Sequence, residues 1–158
     1  MKKVGADREK LWKLFTKLIR HTTPYGCESE LYELLPDRDA EVDEYGNVVF
    51  KIGKKTDDTL FCSHLDNSCL IQKRTKWFYE NGIIRTDRRT ILGADDKAGV
   101  LLMCHMIENN VNGTYVFHIG EEHGGVGSTA IQNDQSGISV KGFKRAIAFD
   151  RKGTTSII

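Results

Sequence analysis

No excess charge of either sign marks this chain: Lys and Arg total 23 against 22 for Asp and Glu, a formal balance of +1. Nothing therefore argues for a nucleic-acid or polyanion partner. The short basic run at Asp87-Arg88-Arg89-Thr90 reads as a solvated turn. No apolar stretch approaches the roughly 20 residues of a membrane span, so no membrane partner is expected. The four cysteines, Cys27, Cys62, Cys69 and Cys104, form no C-x-x-C pair. Met1-Lys2-Lys3 is followed by Asp7, Arg8, Glu9 and Lys10, where a signal peptide would be apolar. Scattered thiols without an export signal predict reduced, mostly buried cysteines and a cytoplasmic location. There is no repeat, low-complexity segment or linker, and a single domain over residues 1–158 is expected.

What is present is an alternation of elements. Leu11, Leu14, Phe15, Leu18 and Ile19 recur at helical spacing, with Asp7 placed to cap the helix. Thr23-Pro24-Tyr25-Gly26 breaks it, and a second short helix is predicted from Glu28 to Leu35, bounded by Pro36. Glu44-Tyr45-Gly46-Asn47 separates two strand-like runs, 40–43 and 48–52, as a hairpin would. Strands are predicted at 59–63, 114–119 and 145–149, a polar hairpin around Asn81-Gly82, and helices at 96–108 and 127–132. Helices on a mixed, mostly parallel sheet follow, an α/β fold with its site at the strand C-termini.

Four motifs sit at those strand ends. His64-Leu65-Asp66 places an imidazole and a carboxylate two residues apart, where the acid can hold the ring or a neighbouring ligand. A strand-end histidine beside an acidic turn is the bland alternative, and in isolation it is the better one. In Gly93-Ala94-Asp95-Asp96-Lys97-Ala98-Gly99 a helix cap explains one acid but not two, nor the small residues around them. Those small residues predict close approach of the backbone to something compact, and a carboxylate there can bridge two cations. Glu121-Glu122 are adjacent like charges, which repel unless a cation or shared proton intervenes. One of the pair suits a metal and the other a general base. His123 reads as a turn residue, a substrate contact or a substitute ligand. Asp150 repeats the pattern of strand then acid. One imidazole and several carboxylates, in this order, form the donor set of a dinuclear hydrolytic site.

His64-Leu65-Asp66, the run Gly93 to Gly99, Glu121-Glu122 with Gly124, Gly125, Gly127 and Ser128, and Asp150 together resemble the co-catalytic zinc exopeptidases. That clan holds the M20, M28 and M42 metallopeptidases, and Gly-Ala-Asp-Asp-Lys-Ala-Gly is closest to the tripeptidase and dipeptidase branch of M20. The segment around Glu28 is similar to the N-terminal lead-in of the same proteins. The resemblance implies a three-layer αβα catalytic domain carrying two zinc ions, or cobalt or manganese in their place. It implies that His64 and Asp150 bind the first metal, Asp95 bridges both and Glu122 binds the second. Asp66 would be the supporting catalytic aspartate. Glu121 would be the general base for water attacking a peptide or N-acyl amide carbonyl.

The clan carries one more histidine ligand far downstream, together with further strands and a lid or dimerisation domain, whereas this sequence stops at Ile158. The expectation is accordingly a C-terminally truncated catalytic domain with an incomplete second site. Thr154 to Ile158 would be a strand cut short, with an open edge favouring a homodimer. His21, His105 and His118 read as structural, leaving His123 as the candidate replacement ligand. The activity implied is an exopeptidase on short peptides, an aminopeptidase or a di- or tripeptidase. An N-acyl amino-acid deacylase and an inactive truncated fragment are the alternatives.

Overall fold

The computed structural model describes residues 2–54 and 59–153, with residues 2–6 described by backbone alone. The expected terminal strand at 154–158 lies outside the described residues. Helix α1 spans Lys2–Leu18, so Asp7 sits inside it rather than at its cap. Extending an existing helix through Lys2, Lys3 and Val4 adds a hydrogen bond per residue without a new nucleus, which overrides a favourable cap residue further in. The second short helix is present as a 3-10 turn over Glu28–Leu34, halted before Pro36.

Strands β1 (Glu41–Val42), β2 (Val48–Ile52) and β3 (Thr59–His64) follow. The hairpin β4 (Trp77–Glu80) and β5 (Ile83–Thr86) comes next, then helix α2 (Ala94–Glu108). Strand β6 (Gly113–His118), helix α3 (Val126–Gln132) and strand β7 (Arg145–Ala148) complete the order. The main sheet runs β1-β2-β6-β3-β7. β2 is antiparallel to both β1 and β6, while β6, β3 and β7 pair in parallel. Thus β2 alone opposes the common direction, and the sheet is mixed and mostly parallel.

Side chains alternate across this sheet with the period of two that a strand imposes. One face carries Val48, Phe50, Phe61, Tyr115 and Phe117, which bury against Leu18 of α1, Leu31 and the α2 residues Val100, Met103 and Ile107. The other face presents Val49, Leu60 and Val116 to Ile131 of α3, with Ile138, Val140 and Phe143 alongside. These are the two outer layers of an αβα sandwich. Each fully buried large apolar side chain contributes about 1.5–3 kcal/mol. The β4–β5 hairpin forms a separate two-stranded sheet, turned at Asn81 and Gly82. It leans on α1, where Trp12 meets Trp77 and Tyr79 edge-on at 5.9 and 5.4 Å. None of the helices, among the described residues, is long and apolar enough to cross a membrane. Because β6, β3 and β7 are parallel neighbours, their C-terminal ends open on the same edge, beside the start of α2.

Candidate metal centre

His64 is the last residue of β3 and is buried. Its Nδ1–H is held by Asp66, 3.1 Å from the backbone carbonyl and 3.3 Å from Oδ1. Nε2 is thereby left as the free nitrogen. It faces Asp95 Oδ1 at 3.4 Å, and Glu121 Oε2 and Asp150 Oδ2 at 3.9 Å each.

Asp66 is wholly enclosed and does more than steady the ring. Its Oδ1 accepts from the backbone N–H of Glu121 at 2.9 Å and its Oδ2 from that of Glu122 at 3.0 Å. One carboxylate therefore fixes both the histidine and the two-glutamate turn. Burial would raise the Asp66 pKa, but the His64 contact and these two N–H groups outweigh it and hold the group below its ordinary value. Glu28 secures the same turn from the other side, accepting from Gly120 N at 3.1 Å and Gly26 N at 2.6 Å. Gly120 has φ +58°, and a Cβ there would lie 2.8 Å from the Tyr25 ring.

The two adjacent aspartates diverge. Their shared peptide bond is cis, and neither has helical backbone angles although both lie within the bounds of α2. Asp96 turns inward, accepting from Ser63 Oγ at 2.5 Å and from Gly99 N at 3.1 Å. The second contact is that of a helix cap. Gly99 makes room for this carboxylate: an added Cβ would lie 2.5 Å from Asp96 Oδ1. The compact object predicted beside the small residues is thus the protein's own Asp96. Asp95 turns outward to His64 and is left with an open carboxylate.

The resulting field is strongly negative. Burial disfavours charge on His64, yet the Asp66 hydrogen bond and the charges of Asp96, Asp66 and Asp150 carry it up to about 9. Burial, against the lowering effect of Ser63, pushes Asp96 up to about 7. Glu121 and Asp150 are also raised, first by burial. Asp150, Glu122 and Asp66 add to this at Glu121, Asp95 adds to it at Asp150, and His64 opposes both shifts. A cation would relieve this repulsion in place of protons. Two overlapping groups bring ligand atoms within 4.8 Å of one another, His64 with Glu121 and Asp150, and His64 with Asp95 and Glu122. An imidazole with one nitrogen fixed by a carboxylate and the other facing oxygen donors fits a divalent metal. His64, Asp95, Glu121, Glu122 and Asp150 are all gathered here, with Asp66 beneath them.

His123 does not join either group. It stacks on Tyr25 with ring centroids 4.7 Å apart, forming one wall of a cavity of about 180 Å³ that Asp66, Asn67, Cys69, Leu70 and Glu122 also line. Sequence reasoning missed Asn67, the hydrogen-bonding role of Lys97 and the anchoring role of Glu28. Lys97 was visible only as part of a motif, and nothing local singles out Asn67. Lys97 is fully buried, and burial pulls its ammonium down to about 8.

No protein-family model matches the chain. Over an alignment of 95 positions, covering 54% of this chain and 25% of the other, the sequence is 40% identical to the uncharacterised protein YqjE of Bacillus subtilis. In three dimensions the chain is similar to the aminopeptidase PepT of Bacillus cereus, with a TM-score of 0.72 and 28% identity over 92% of this chain. A tripeptidase of Staphylococcus aureus gives the same TM-score and coverage at 24% identity, which speaks for the fold alone. The chain spans 44% of each of these two structures. Over that portion it has the fold of an aminopeptidase catalytic domain.

Proposed function

We propose that the protein is a metal-dependent peptidase acting on short peptides, an exopeptidase of the co-catalytic zinc class and of its M20 tripeptidase branch. The observation that carries this reading is His64 Nε2, which faces three carboxylates while Asp66 fixes Nδ1. His64, Asp95 and Asp150 would hold the first ion, Asp95 and Glu122 the second, the ions being zinc, or cobalt or manganese in its place. Bound there, such ions supply Lewis acidity toward a carbonyl and acidify water.

The remaining chemistry belongs to the chain. Glu121 is half-exposed at the site, and its raised pKa suits a group that takes a proton and gives it back. It accepts a proton from the attacking water as the new C–O bond forms. It then passes that proton to the departing amine as the C–N bond breaks. Asp66 keeps Glu121 and Glu122 in register with His64 through its two backbone hydrogen bonds. Glu28 ties that turn to the 3-10 segment through Gly120 N.

The test is metal content of protein purified without chelator and supplied with zinc, followed by assay on di- and tripeptides with free and blocked amino termini. At least one ion per chain, a second where Asp95 and Glu122 hold it, and cleavage of free peptides is the expected result. Preference for N-acyl amino acids would move the assignment to an amidohydrolase on the same scaffold. A content near zero would overturn the peptidase reading.

A further inference from the structure

Immediately beneath the candidate ligands, Asn67 ties three separate segments together. Its Oδ1 accepts from Thr23 N at 3.1 Å and from Lys97 Nζ at 2.9 Å. Its Nδ2 donates to the backbone carbonyl of Asp95 at 2.6 Å, with Gly93 O further off at 3.4 Å. Lys97, wholly enclosed, spends its other two N–H groups on Thr23 Oγ1 at 2.7 Å and His21 O at 3.0 Å. The three acceptors of this ammonium are all neutral. Enclosing a charge that way is costly, and the cost requires a return elsewhere.

That return lies in the direction of the Asn67 amide. The oxygen and nitrogen of an asparagine side chain are nearly equal in size, and only its partners decide which way it faces. Two donors, one of them an ammonium, meet Asn67 on one side. Its oxygen must therefore lie there, and its NH₂ must face the Asp95 carbonyl. The positive charge also polarises the amide, strengthening the donation on the far side. Gly93 completes the fit: it has φ +69°, and a Cβ there would lie 2.7 Å from Asn67 Oδ1.

We propose that Lys97 and Asn67 are positioning residues, the ammonium fixing the Asn67 amide and the amide holding the Asp95 peptide so that its carboxylate faces His64. This rests on the assignment of Asp95 as a metal ligand. Asn67→Asp removes the donated bond at nearly constant size and adds a negative charge beside Lys97. It has the same shape and still accepts from Lys97 and Thr23, but cannot donate to Asp95. Lys97→Met removes the charge from the other end.

Both variants are to be compared with the parent protein by competition with a chromophoric zinc chelator, by the visible spectrum of the cobalt-loaded form and by thermal unfolding. Asn67→Asp is expected to lose some stability, because the Asp95 carbonyl loses its donor, and to bind zinc about 10- to 100-fold more weakly, the usual cost of disturbing a ligand's support. Its cobalt spectrum should change, and peptide kcat should fall with little change in KM. Lys97→Met should weaken zinc binding in the same sense, and the double variant should fall short of the sum of the two losses. If Lys97→Met does not fold, Asn67→Asp decides alone. Zinc affinity and cobalt spectrum unchanged in Asn67→Asp would overturn the positioning role while leaving the peptidase reading intact. A parent protein that binds no metal would overturn both.

Discussion

Asp95, Glu121 and Asp150 keep 71%, 45% and 39% of their side-chain surface open to water, whereas Asp66, Asn67, Lys97 and Glu28 just below them are closed off. The upper groups contact little beyond one another and His64. Asp66, Asn67 and Lys97 below place their polar atoms on named partners, many of them backbone N–H or C=O groups. The difference separates two tasks. The groups proposed to meet an ion or a reacting atom are left open to water, and their geometry is imposed from an enclosed layer beneath them. Substitution above should change chemistry with little effect on folding; substitution below should change both.

The largest effect is expected at Glu121. Glu121→Gln should lower the rate on short peptides by roughly three orders of magnitude. Its melting temperature and zinc content should stay near those of the parent, as calorimetry and elemental analysis would report. A matching loss of stability would erase the division of tasks. Asp66→Ala comes next, because it strands the N–H groups of Glu121 and Glu122 and leaves His64 Nδ1 only the backbone carbonyl of residue 66. Urea unfolding should show a loss of about 3 kcal/mol or more.

A smaller effect follows from His118, at the end of β6, whose Nδ1 is buried without a hydrogen-bond partner. Burial drives its pKa down to about 4 from the ordinary 6.5. The folded state therefore binds the proton more weakly than the unfolded chain. This contribution to stability is complete above the unfolded value and is lost as pH falls from there toward the folded one. At pH 5 the loss relative to pH 7 should be about 1–2 kcal/mol, and His118→Gln should remove that part of the pH dependence in urea titrations. The smallest effect belongs to Leu70, which is 97% exposed beside the cavity. Leu70→Ser should shift stability by no more than about 0.5 kcal/mol in the same titration.

The sheet was legible because β2, β3 and β6 are largely buried on both faces, so each reads as a short apolar run bounded by turn residues, a local property of the sequence. The candidate ligands were legible for a related reason: acids and an imidazole directly after apolar runs stand out in one dimension. The structure gathers them, and their roles are those proposed above. The two aspartates show where such reading stops. Asp95 and Asp96 are neighbours in sequence, yet one caps a helix against Gly99 and Ser63 while the other turns outward, a choice made by backbone angles. Asn67 and Lys97 were illegible because their roles depend on partners from distant segments. The start of α1 was misjudged because Asp7 is a good cap residue in a place where the helix already existed.

The parallel pairing of β3 with β7 has a consequence for how an ion could be loaded. β7 carries Asp150 to the site, and more than half the chain separates that residue from His64. A ribosome adding about 5–20 residues per second needs several seconds to travel from one to the other. Throughout that interval the emerging polypeptide holds the imidazole but not its distant carboxylate. On the proposed ligand set, occupancy of the first site waits until β7 has docked, which would make metal uptake a late checkpoint on folding rather than a nucleus for it.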